Sequence, residues 1–180
     1  MEALLQQARE CKRRLDHFLL TNDLPLHWFS APDHVAVNTA SGPDYNRLFK
    51  KLEPLFENLT VGRKNGQCFA AGQLREGLEF GRVQRVPWLE ILALQTPRSE
   101  AEGRGLEHLV FCHPELKNIA KGLVELEMPF RAEASNGCYW LSLDIGGDTE
   151  LRFAETSLAA VIANDVRTGM ARNWLFEGAH

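Results

Sequence analysis

Two histidines occupy near-duplicate settings. His34 stands in Asp-His-Val-Ala-Val (33–37) and His108 in Glu-His-Leu-Val-Phe (107–111). Each is a carboxylate, an imidazole and the start of an apolar run. A neutral imidazole is a ligand for first-row divalent metals and a base near neutral pH. Glu90 is a third candidate, because it lies inside Trp-Leu-Glu-Ile-Leu-Ala-Leu (88–94), the most apolar strand-like segment of the chain. A carboxylate there is expensive unless it is paired or bound to a metal. Two imidazoles and one carboxylate suit a divalent transition metal, Zn, Ni, Mn or Fe, with coordination positions left open. An open ion polarises a bound carbonyl or acidifies water. Two other readings stand beside this one. The histidines are core residues held by Asp33, Glu107 or backbone carbonyls, or Glu90 forms a buried ion pair with Arg152 or another arginine.

The elements that must position these groups follow from periodicity and turn signals. Residues 2–21 carry Leu4, Leu5, Ala8, Cys11, Leu15, Phe18 and Leu19 at helical spacing. Residues 21–32 form a connector that Pro25 and Pro32 keep extended. A strand at 33–39 leads to a helix opened by Pro43 and Asp44. A strand pair follows around Asn65-Gly66, a strong hairpin signal, and then a fourth strand over 87–96. The polar, glycine-bearing stretch 97–105 marks a boundary. The order then repeats: strand 106–112, a helix opened by Pro114, strands on either side of Ser135-Asn136-Gly137, and strand 149–155. Ser157 caps a last helix expected to run through 173.

Strand–helix–three strands, twice, implies two similar modules related by a pseudo-twofold. The expected fold class is α+β: two βαβββ modules whose sheets enclose a pocket, with extra N-terminal and C-terminal helices. The expected segments are 1–32 (helical extension and connector), 33–97 (first module), 98–105 (linker), 106–156 (second module) and 157–180 (C-terminal helix and tail).

Strand side chains alternate between faces. If the helices cover Val35, Val37, Leu109 and Phe111, then His34 and His108 point into the enclosed space. Glu90, Glu150, Arg152 and Trp140 share that face. Asp33 and Glu107 alternate away from it, which predicts solvated strand-end charges.

The chain has 180 residues, 44% of them hydrophobic and 24% charged, with net charge −4. That balance is ordinary for a globular protein and argues against binding nucleic acid through an overall positive field. No run of about 18 apolar residues is present, so no membrane span is expected. The N-terminal segment lacks the apolar core of a signal peptide. The four cysteines show no zinc-ribbon spacing; Cys68, Cys112 and Cys138 read as small buried hydrophobes and the compartment as a reducing cytoplasm.

The repeated βαβββ order, with "DHVAV", "NGQCFAAGQL", "LEILALQTP", "GLEHLVF" and "ELRFAETSLAAVI", resembles the vicinal oxygen chelate superfamily of glyoxalase I, extradiol dioxygenases and bleomycin-resistance proteins. Within it the chain is similar to the YecM-like branch, over roughly residues 24–165. The resemblance implies metal ligands from the first, fourth, fifth and eighth strands: His34, Glu90 and His108 for the first three. An ungapped match puts Ala93 in place of Glu90. The eighth strand departs, with Arg152 and Ala154 where relatives carry an inward glutamate or histidine. Glu150 on the same face is the candidate catalytic base. Arg152 is the candidate grip for a substrate carboxylate or phosphate, and Trp140 a stacking wall.

The implied function is a metal-binding enzyme of isomerase, lyase or dioxygenase type, acting on a small oxygenated substrate. The alternative is a metal-free small-molecule-binding protein on the same fold. A third reading has helices 2–21 and 158–173 docking a partner, although their apolar stripes are more simply core-facing. The expected partners are a small-molecule substrate or ligand, with no nucleic acid and no membrane, and the expected state is a monomer or homodimer.

Overall fold

A computed structural model describes residues 2–29, 32–64, 67–80, 84–93, 105–135, 137–147 and 149–173. Residues 98–104 of the proposed linker, the Asn65-Gly66 turn, the last residues of the fourth strand and the tail beyond 173 lie outside them. Helix α1 (Glu2–Asn22) and a 3-10 turn (Leu26–Phe29) precede β1 (Pro32–Thr39), α2 (Gly42–Leu52), β2 (Phe56–Lys64), β3 (Gln67–Phe80) and β4 (Gln84–Ala93). The second half runs β5 (Gly105–Cys112), α3 (Leu116–Glu125), β6 (Arg131–Ser135), β7 (Cys138–Asp144), β8 (Glu150–Ala154), α4 (Leu158–Arg167) and β9 (Ala171–Asn173).

The two βαβββ modules are present, joined edge to edge. The sheet order is β6-β7-β8-β5-β1-β4-β3-β2-β9. Within each module the first strand pairs in parallel with the last, β1 with β4 and β5 with β8. The pseudo-twofold runs between β1 and β5, which pair antiparallel at the centre of the sheet.

One face of this sheet carries the main apolar core. Val35, Leu89, Ile91, Leu109, Phe111, Leu151 and Phe153 are almost wholly buried there, with Ile119 and Leu123 of α3 and Leu52 of α2. Helix α1 contributes Ala8, Cys11 and Leu15. Trp28 and Phe29 of the 3-10 turn pack edge-on or tilted against Phe111 and Phe153, with ring centroids 5.3–6.1 Å apart. Cys11, on the apolar stripe of α1, is buried, whereas Cys68, Cys112 and Cys138, expected to be buried, are partly exposed.

Close packing sets one sharp constraint. A Cβ at Gly122 of α3 would stand 2.6 and 2.7 Å from ring atoms of Trp28. Gly122→Val is expected to destabilise the protein by about 1–3 kcal/mol through overpacking, read as a lower urea midpoint. An unchanged midpoint would contradict this packing.

The last helix ends earlier than its sequence suggested. It stops at Arg167, not 173. Gly169 adopts φ +76°, its N–H donates to Val166 O (3.2 Å), and Met170 N–H donates to Asp165 O (2.8 Å). This is a glycine-terminated cap that satisfies the final carbonyls. The residues after it turn back as β9 along the edge of β2.

Candidate metal centre and pocket

The other face of the sheet collects the polar groups in lateral rows. Ala71, Glu90, Ala36, His108 and Glu150 are successive cross-strand partners from β3 to β8. The adjacent row holds Gln73, Trp88, His34, Val110, Arg152 and Ser142. Alanines on both sides of Glu90 leave space for its carboxylate, and the register sets Glu90 rather than Ala93 on this face.

His34, Glu90 and His108 each offer one donor atom, all within 4.8 Å of one another. The rings of His34 and His108 are 5.5 Å apart, edge to face, and both are buried. His108 Nε2 lies 3.8 Å from Glu90 Oε2. The sequence candidates for a shared site thus converge from three strands and both modules.

What alternation missed is the role of the two preceding carboxylates. Asp33 and Glu107 are not solvated strand-end charges. The β1–β5 ladder pairs Pro32 with Phe111 and His34 with Val110, so Asp33 is an extra, unpaired residue; it pairs Ala36 with His108 and Val37 with Leu106, so Glu107 is another. Two bulges, one per module, interrupt the alternation and re-aim these side chains. Asp33 Oδ2 accepts from His34 Nδ1–H at 2.7 Å, and its side chain is 11% exposed. Glu107 Oε2 lies 3.3 Å from His108 Nδ1. These two atoms and Asn38 Oδ1 are buried without a hydrogen-bond partner among the described residues. With each Nδ1 facing its own carboxylate, the Nε2 atoms are the ones presented to the site. That is the usual carboxylate–histidine arrangement behind a metal ligand.

The donor chemistry fits a divalent ion. Burial, aided by the nearby charges of Arg152 and His34 and opposed by Glu107, pushes the His108 imidazole down to about 4. The ring is therefore neutral at pH 7 and keeps its ligand lone pair. Burial raises Asp33 and Glu107, but their histidine contacts, the Leu158 N–H at Asp33 and the Arg152 charge at Glu107 outweigh it. Both stay below the ordinary carboxylate range.

A pH dependence follows. An unfolded histidine titrates near 6.5, above His108 in the fold. As pH falls the unfolded chain takes up this proton first, so stability present above about 6.5 is lost between about 6.5 and about 4. The lowered carboxylates extend the loss to more acid pH. Urea midpoints of the metal-free protein should fall across this window by an amount worth a few kcal/mol, and His108→Gln should flatten that slope. A parent slope equal to the variant's would contradict the buried neutral ring.

The pocket beside these ligands has a volume of about 190 Å³. Its floor is His34, Glu90, His108, Val110 and Arg152; Trp140 and Cys138 form one side, and Leu158 and Val161 of α4 the other. Helix α4 also packs over part of this face. Leu158 and Ile162 of α4 cover Phe69 and Ala71 of the first module, with Trp88 and Leu92 packed alongside.

Arg152 and Trp140 both line this pocket, with the guanidinium carbon 5.8 Å from the indole centroid. Glu150 does not. Its Oε2 accepts from Arg152 Nε (2.8 Å) and Nη2 (2.6 Å), its Oε1 is taken by Arg131, and it is not part of the pocket wall. With both oxygens bonded to guanidinium groups, this carboxylate holds Arg152 in place. Glu133, which sequence reading passed over, accepts from Trp140 Nε1 and Ser142 Oγ, both at 2.8 Å, and so fixes the indole.

No family model and no curated protein matches the chain. Solved structures do. Protein EC4020, a structural-genomics target, is 18% identical over 91% of this chain and 90% of its own, with a TM-score of 0.69. Methylmalonyl-CoA epimerase from Mycobacterium tuberculosis is 14% identical over 73% of this chain and 91% of its own, with a TM-score of 0.50. At these identities the likeness is one of fold. The paired βαβββ architecture of this chain is the fold these neighbours share.

Proposed function

We propose that this protein holds one divalent transition metal through His34, Glu90 and His108 and uses the adjoining pocket to bind a small, oxygenated, anionic substrate. The observation that carries the reading is the convergence of three donor atoms from β1, β4 and β5 within 4.8 Å. A bound ion of this kind supplies Lewis acidity toward a substrate oxygen. The chain's own residues do the rest. Arg152, fixed by Glu150, offers its remaining N–H edge to a substrate carboxylate or phosphate. Trp140, fixed by Glu133, supports a flat apolar part, and Leu158 and Val161 keep water from that side.

The reaction class we propose is isomerase, lyase or dioxygenase chemistry, the ion Zn, Ni, Mn or Fe, and the branch YecM-like. The net charge of −4 supports a partner other than nucleic acid. No described helix is long and apolar enough to cross a membrane, and we place the protein in the cytoplasm as a monomer or homodimer.

Metal-free ligand binding is the second reading. The observation favouring it is that β8 presents the cation Arg152 where a fourth ligand would stand. Melting temperatures with and without Zn²⁺, Ni²⁺, Mn²⁺ or Fe²⁺ separate the two. A ligand at 100 times its Kd stabilises by about 2.7 kcal/mol, so the parent should melt several degrees higher with at least one ion. Glu90→Gln should lose most of that rise. No rise with any ion would support the second reading.

A further inference from the structure

One oxygen atom joins the metal ligand His34 to the roof of the pocket. Asp33 Oδ2 accepts from His34 Nδ1–H at 2.7 Å and from the backbone N–H of Leu158 at 2.9 Å. Leu158 is the first residue of α4, behind the cap residue Ser157. Its N–H is one of the donors a helix start leaves without an intrahelical partner, and the helix dipole favours a carboxylate at that end. Leu158 and Val161, one turn later, face the pocket. The geometry of the ligand ring and the seating of the roof therefore share a single hydrogen-bond acceptor, across 125 residues of chain.

The second module supplies an internal contrast. Glu107 occupies the matching bulge behind His108, but its partners are His108 and Asn38, with the charge of Arg152 nearby. Among the described residues, no helix start rests on it. Symmetry of the two bulges accounts for a carboxylate behind each ring; it does not account for the Leu158 contact, which belongs to Asp33 alone.

We propose that Asp33 is a positioning residue that couples metal loading at His34 to the docking of the first turn of α4, so that the loaded site and the closed roof reinforce each other. A metal at His34 Nε2 fixes the ring and keeps Nδ1–H on Asp33 Oδ2. The ordered carboxylate then keeps its bond to Leu158 N–H. The coupling runs equally in reverse, because linkage between two sites is reciprocal. This rests on the metal reading above for the ion, and on the hydrogen bonds alone for the link between ring and helix.

The test uses the full chain with Co²⁺ or Zn²⁺ as probe. Hydrogen exchange of the Leu158 amide is followed with and without saturating metal, in the parent, Asp33→Ala, Asp33→Asn and Glu107→Gln. In the parent, metal should slow exchange at Leu158. In Asp33→Ala that protection should vanish even when the site is saturated, while metal affinity falls roughly 10–100-fold, the usual effect of losing an outer partner. Asp33→Asn, which keeps an acceptor oxygen, should recover part of the protection and secures the test if the alanine variant folds poorly. Glu107→Gln should weaken metal binding and alter the Co²⁺ absorption spectrum, yet leave the protection of Leu158 intact. Equal protection in Asp33→Ala and the parent, or its loss in Glu107→Gln, overturns the coupling. A parent that binds neither ion fails the metal reading itself. The ring-to-helix link is then decided by nitrogen-15 shifts: His34 should carry its proton on Nδ1 in the parent and lose that preference in Asp33→Ala, and identical shifts would overturn it.

Discussion

Replacing either histidine by alanine should abolish the response of this protein to divalent metal. His34 and His108 come from different modules, and each supplies one of only two imidazoles in the cluster. With one ring gone, two protein donors remain, too few to hold a transition metal against water. The loss of affinity should exceed the roughly 10–100-fold that follows removal of an outer partner. Competition against a chromogenic chelator reads this directly. The double variant should be no worse than either single one, because residues that act as one unit are not additive. A single variant that keeps parental affinity would show that its ring is a core histidine and no ligand. Each metal-free variant should still fold, since the apolar face of the sheet is untouched.

The largest effect on stability is expected behind the site, at Phe153. This ring is fully buried on the helix-covered face of β8 and meets Trp28, Phe29 and Phe111 at 5.3–6.4 Å between centroids. Phe153→Ala removes an aromatic that links the N-terminal extension to the second module. Large-to-small changes of this kind cost about 3–5 kcal/mol, because the surroundings relax only in part. Its neighbour Arg152 points to the other face, so damage at Phe153 should appear as a lower urea midpoint with an unchanged stoichiometry of metal in the folded fraction. A midpoint close to the parent's would contradict the aromatic core described here.

Much of this architecture was legible in the residues. Period-two alternation and the repeated element order placed His34, Glu90, His108, Trp140 and Arg152 on one face, and the structure keeps them there. The choice between Glu90 and Ala93 needed cross-strand register, which no single strand contains. The setting of Glu150 was hidden for the same reason. Its partner Arg131 lies two strands away, and only pairing shows that a guanidinium occupies each carboxylate oxygen. Asp33 and Glu107 were misplaced because alternation fails at a bulge. The available signal was their repetition, a carboxylate before the histidine in both modules. The early end of α4 also had a marker in Gly169, the one residue type that adopts φ +76° without strain.

The metal content of protein purified without chelators measures the central claim most directly. Mass spectrometric elemental analysis should find about one transition-metal ion per chain in the parent and far less in Glu90→Gln. Parent protein that carries no such ion, and takes none up when Zn²⁺, Ni²⁺, Mn²⁺ and Fe²⁺ are offered, would contradict the account.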